Sequence, residues 1–226
     1  MAYRRTERET ARLAARYEAI IEAARALASE SGLGAVQVVP VAERAGIAAG
    51  TVYRYFPSKD DLVAAVVSAT SEREVTAIRT AVAAAPGALS GLAAAIVAFA
   101  SGTMRMRRLA FAMLAEAPPP SPPPHAGEGR EGAGRFAFRR HVAGEFESLI
   151  RAAIAAGHLP DQPPAAMAAA VIGATVESLV GPFAPTLAGQ EAERAAVQEI
   201  TLFALRALGV VDARARGLVV SVIRDQ

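Results

Sequence analysis

A single glycine, Gly46, separates two apolar-patterned segments too short to hold a core alone, and this constrains the fold more than any other feature. The surrounding stretch runs Val41-Ala-Glu-Arg-Ala-Gly46-Ile-Ala-Ala-Gly50-Thr-Val-Tyr-Arg-Tyr55-Phe-Pro-Ser-Lys-Asp60-Asp-Leu62. Residues 39–45 are expected to be helical, with Pro40 tolerated in the first turn, and Gly46 stops them. A second short helix is expected over 49–56, broken by Pro57. Ser58 then opens another helix. Asp61 stands three residues on, a variant of the capping box with aspartate where glutamate is commoner. Val41, Ala45, Val52 and Phe56 fall on the inward faces of the pair. Small Ala42 and Ala45 let the two helices cross closely. Thr51, Tyr53, Arg54 and Tyr55 are left for the outer face or its edges. Two short helices joined so tightly suit a helix-turn-helix, whose second helix enters a DNA major groove.

Elsewhere strand signals are scarce and helical spacing dominates. Leu13, Tyr17, Ile20, Ile21, Ala24, Leu27 and Ala28 form one stripe, ended by Gly32 and Gly34. The helix begun at Ser58 can run to about residue 84. Longer apolar helices are expected over 88–101, 103–116, 135–156, 164–182 and 190–208. Residues 217–223 fit a short helix or a strand. Pro118 to Gly134 holds Pro-Pro-Pro twice and a Gly/Glu/Arg run. Such a segment cannot pack a core and is expected to be a disordered loop. The chain therefore reads as all-α with about nine helices. A three-helix DNA-reading domain is expected over 1–58 and a helical effector-binding and dimerisation domain over 59–226.

Composition narrows the function. With 226 residues and 53% hydrophobic content, the chain can bury a proper core. The formal charge of +2 would not by itself suggest nucleic acid. Distribution says more: Arg4, Arg5, Arg8, Arg12 and Arg16 stand against Glu7 and Glu9. This arm either reaches DNA phosphates or a minor groove, or is a solvated, frayed terminus. Cysteine is absent, so thiolate metal sites and disulfides are excluded. His125, His141 and His158 lie far apart, and no metal or other cofactor is expected. No nucleophile–base pairing or phosphate loop supports an enzyme. The N-terminus is polar and charged, unlike a signal peptide. Thr80 to Met104 carries no charge and is long enough to span a bilayer, but Pro86, Gly87, Gly91 and Gly102 suggest two buried helices around a break. A cytoplasmic protein with no membrane partner is expected.

The motifs Ala-Glu-Arg-Ala-Gly (42–46), Gly-Thr-Val-Tyr-Arg-Tyr-Phe (50–56) and Ser-Lys-Asp-Asp-Leu (58–62) occur in order at fixed spacing. With the helix upstream, over about residues 12 to 68, they resemble the DNA-binding domain of the TetR/AcrR family of transcriptional regulators. The resemblance implies phosphate contacts by Thr51, Tyr53, Tyr55 and Lys59, and base contacts near Ala49, Gly50 and Tyr53. Two departures stand out. Gln37 and Ala48 occupy the helix starts where the family usually has Ser or Thr. Each missing cap costs about 0.5–2 kcal/mol. Ala48-Ala49-Gly50 offers no side-chain hydrogen bond to a base. Direct readout therefore leans on Tyr53, Arg54, Arg44 and Gln37, or on DNA shape.

In the family, the second domain binds an effector and forms the dimer. Leu-Ala-Glu-Ala (114–117), Phe-Arg-Arg-His (138–141), Ala-Ala-Gly-His-Leu-Pro (155–160) and Gly-Ala-Thr-Val-Glu-Ser-Leu-Val-Gly-Pro (173–182) resemble one common version of it. Ala169, Gly173, Glu177 and Gly181 repeat every four residues on one face. Val197, Ile200, Thr201, Ala204 and Leu208 form an apolar stripe on the next helix. These stripes either meet a second copy in a four-helix interface or face the chain's own core. Candidate pocket residues are Phe99, Met104, Phe111, Phe138, His141 and Glu177. Glu177 is the one charge between Asp161 and Glu191. It needs a partner such as Arg105, Arg107 or Arg108, a cationic ligand, or solvent at a dimer seam. The expected function is a homodimeric, ligand-responsive repressor released from a palindromic operator on double-stranded DNA by a small apolar effector. A helix-turn-helix DNA-binding protein without an effector is the alternative, and an enzyme stands behind it.

Overall fold

The computed structural model describes the backbone of residues 2–114 and 128–224, and the side chains of 9–113 and 138–222. The described residues form ten α-helices and one 3-10 turn, with no strand among them. The all-α expectation holds. The chain divides into two compact units. One holds residues up to Thr70; the other holds Ser71 onward, with the long helix after the Pro/Gly-rich segment joining it from Phe136. The boundary expected at residue 58 therefore falls twelve residues later, inside a continuous helix. Leu62, Val63, Val66 and Val67 are buried there and extend the apolar face of the first unit.

In the first unit, α1 (Ala2–Ser31) buries Ile20, Ile21, Ala24 and Ala28, the C-terminal part of the expected stripe. Leu13 and Tyr17, from the same stripe, stay largely exposed. The N-terminal arm is helical from Ala2. Gly32, at φ 83°, ends α1 in a conformation that L side chains rarely adopt. A 3-10 turn (Leu33–Ala35), which the helical pattern does not reveal, follows and buries Leu33. Helix α2 (Val38–Ala45) packs on α1 and on α3 (Ala49–Tyr55). Gly46, at φ 66°, makes the left-handed turn between them.

Neither Gln37 nor Ala48 makes a side-chain cap bond to the helix it starts. We expect Ala48→Ser to stabilise the domain by about 0.5–2 kcal/mol in chemical denaturation, since the residue already has extended backbone geometry. Helix α4 (Lys59–Ala84), by contrast, is capped. The Asp61 N–H donates to Ser58 Oγ at 3.1 Å, and the Ser58 hydroxyl donates to the Asp61 carboxylate at 2.7 Å.

The second unit is built around α5 (Ala88–Arg105), which packs against α6 (Arg107–Leu114), α8 (Pro164–Leu179), α9 (Gly189–Ala207) and α10 (Asp212–Arg224). Helix α5 is long and apolar enough to cross a membrane, but 78% of it is buried within the protein. It is a core helix, and its length reflects a central position. Helix α7 (Glu128–Ala155) begins seven residues before the expected start at 135. The rest of the expected disordered loop, 118–127, lies outside the described residues. Arg79 on α4 donates from Nε to Glu145 on α7 at 2.9 Å. Phe99 and Phe146 meet edge-on, with centroids 5.7 Å apart, at the centre of this unit. Residues 217–223, left open between helix and strand, belong to α10.

Candidate nucleic-acid interface

Helix α3 has an inner and an outer face. Val52 and the following Phe56 are buried with Val41 of α2, as the spacing predicts; Ala42 is buried as well, while Ala45, expected on the inward face, is only half-buried. This anchoring leaves Gly50, Tyr53 and Arg54 exposed on the other side. Tyr53 keeps 54% of its surface in solvent, an unusual exposure for an aromatic ring. Ala49 and Thr51 are half-buried at the start of the helix. Lys59 is exposed in the first turn of α4, and neither it nor Arg54 has an ion-pair partner among the described residues. The surface thus offers two cations, a phenol and a close-approaching glycine backbone. Such groups hydrogen-bond phosphate oxygens and fit against a groove.

Two expected contributors, Arg44 and Tyr55, are engaged by α1. Arg44 is held by Glu30 of α1 through two hydrogen bonds of 2.8 and 2.9 Å. Its guanidinium serves first as a clasp between α1 and α2. Tyr55 is half-buried, its hydroxyl 3.4 Å from the Leu13 carbonyl and its ring 6.4 Å from that of Tyr17. Tyr17 also lies 5.3 Å from Phe56, so these rings brace α1 against α3. Gln37 is exposed at the start of α2.

The Arg44 clasp has a pH signature. The side-chain hydrogen bond from Arg44 holds the Glu30 carboxyl below its ordinary value of 4.5. A carboxylate with a folded-state pKa below its unfolded value adds stability above the unfolded pKa. That contribution is lost as pH falls through the folded one. The stability difference between wild type and Glu30→Gln should therefore be full at neutral pH and vanish in acid; a difference that persists unchanged in acid would refute the clasp.

The second unit sorts the remaining candidates. Phe99 and Phe138 are buried core residues, Phe99 packed on Phe146, so they line no cleft among those described. His141 is exposed, and Phe111 is 37% exposed. Of the expected pocket set, Met104 lines a cleft between α5 and α9, while Glu177 borders a shallower groove with Phe183 and Phe203. Glu177 needs no buried partner, because it is exposed and its carboxylate lies over Gly181, 2.6 Å from where a Cβ there would stand. Arg107 donates to the Leu179 carbonyl at 3.0 Å instead. Val197, Thr201, Ala204 and Leu208 are buried in the protomer's own core, so their stripe is not free to meet a second copy. Thr201 is satisfied by the Val197 carbonyl at 2.7 Å. Ala169 and Gly173 remain exposed, and Gly181 is buried under Glu177. Sequence periodicity passed over Phe203 and Phe183, which are 56% and 89% exposed.

The described residues form two helical units, one of which carries a helix-turn-helix with an exposed outer face. Comparisons with known proteins agree. Residues 20–66 match the bacterial regulatory proteins of the tetR family. Over 58 residues the chain is 50% identical to the HTH-type transcriptional repressor KstR of Rhodococcus jostii, covering 26% of this chain and 27% of that protein. Over 48 residues it is 52% identical to the protein of that name from Mycobacterium tuberculosis, covering 21% and 22%. The chain thus matches about a quarter of the length of these relatives. A tetR-family regulatory protein from Rhodococcus RHA1 superposes with a TM-score of 0.64 at 20% identity, over 87% of this chain and 98% of that one. RolR in complex with resorcinol superposes with a TM-score of 0.58 at 18% identity, over 92% and 95%. Residues 20–66 are thus similar to the tetR-family regulatory proteins, and the chain shares the fold of tetR-family structures.

Proposed function

We propose that the protein is a ligand-responsive transcriptional regulator, most simply a repressor, that binds a palindromic operator as a homodimer. The observation that carries this is the outer face of α3, where Tyr53 and Arg54 are exposed on a helix anchored by buried Val52. Support comes from the tetR-family match over residues 20–66, which include α3, and from the repressors that share a 58-residue match with this chain. One seven-residue helix reads too few base pairs to select a site alone. Pairing two copies matches a two-fold operator. The exposed faces of α8 and α9, with Ala169, Gly173 and Phe203, are the surface we assign to that pairing. An effector bound in the second unit would shift the population towards dimers whose reading helices no longer fit successive grooves. The resorcinol complex of RolR is a fold-level precedent for small-molecule binding.

Selection of bound sequences from random duplex DNA tests the reading. An inverted repeat with half-sites about one helical turn apart is the expected result. Failure to enrich any sequence at low salt would overturn it.

A further inference from the structure

The cleft between α5 and α9 has a volume of about 560 Å³, within the usual range of small-molecule sites. Its floor is apolar: Val97, Met104 and Val197, all of the buried core, present their remaining surface to it. Its rim is different in kind. Arg105, in the last turn of α5, and Arg194, on α9, both line the cleft. Both are exposed, and neither has an ion-pair partner among the described residues. Glu193 stands on the same rim, so cations outnumber carboxylates there by one. Ser101 and Gln190 add neutral hydrogen-bonding groups.

We propose that this cleft takes an amphipathic monoanion, with its hydrocarbon body on the Val97–Met104–Val197 floor and its carboxylate held by Arg105 and Arg194. The inference rests on the regulator reading and names the chemical class of its effector. It replaces the small apolar effector expected from the sequence. A planar guanidinium binds a carboxylate through two parallel hydrogen bonds, a stronger pairing than neutral groups provide. An uncharged molecule of the same shape would leave both arginines without that gain. A cation would find only Glu193, against two like charges.

Decanoate, decanol and decyltrimethylammonium, titrated calorimetrically into the full chain, separate these cases. Decanoate should bind at least roughly tenfold tighter than decanol, and decyltrimethylammonium should bind weakest. The double variant R105Q/R194Q should lose the preference for decanoate over decanol while keeping the far-ultraviolet dichroism of the wild type. Ser101→Leu, which fills the cleft from its wall, should weaken decanoate and decanol alike. Equal binding of decanoate and decanol by the wild type, no binding of decanoate, or an unchanged preference in R105Q/R194Q would each overturn the proposal. Duplex binding by the same preparation keeps the two readings apart. DNA binding without decanoate binding removes the cleft assignment alone, whereas decanoate binding without DNA binding removes the regulator reading.

Discussion

Replacing Tyr53 with alanine should weaken operator binding by roughly 30- to 150-fold while leaving the fold intact. The ring is exposed, so its removal opens no cavity. Loss of one hydrogen bond to phosphate costs about 1–1.5 kcal/mol. A symmetric dimer loses it twice, and about 2–3 kcal/mol corresponds to that range. Tyr53→Phe separates the hydroxyl from the ring: most of the loss should appear with this variant if the phenol donates to phosphate. A Tyr53→Ala protein that binds its selected duplex as tightly as wild type would remove α3 from the interface.

The largest expected effect on stability is in the second unit. Phe146 is fully buried and meets Phe99 edge-on. Phe146→Ala should cost about 3–5 kcal/mol, combining lost burial with the cavity left behind. Phe111→Ala, at a ring 37% exposed, should cost clearly less. Chemical denaturation of the two variants side by side checks the ranking, and equal losses would contradict the placement of Phe146 in the core.

Much of the architecture was legible because it is written in local chemistry. The span of α4 from residue 59 to 84 follows from Pro57 and Ser58 before it and Pro86 and Gly87 after it. The outward turn of Tyr53 follows from the spacing of Val52 and Phe56. What the sequence did not reveal depends on distant pairing. Glu30 and Arg44 are fourteen residues apart, and nothing in either helix alone announces their clasp. The stripe from Val197 to Leu208 was visible as a stripe, but periodicity does not say whose core it enters. The structure gives it to α5 and α8, and leaves Phe203 on the opposite side to face solvent. The cleft was hidden for the same reason, since Arg105 and Arg194 lie on helices far apart in the chain.

Lys59 carries the only ε-amino group in the chain, and it is exposed in the first turn of α4, close in sequence to the reading helix. Amine-directed reagents therefore have a single side-chain address on this protein, the α-amine aside. Acetylation at that address would erase one positive charge from the face proposed to meet phosphate. Protection of the same nitrogen by duplex would report docking with no label introduced by mutation.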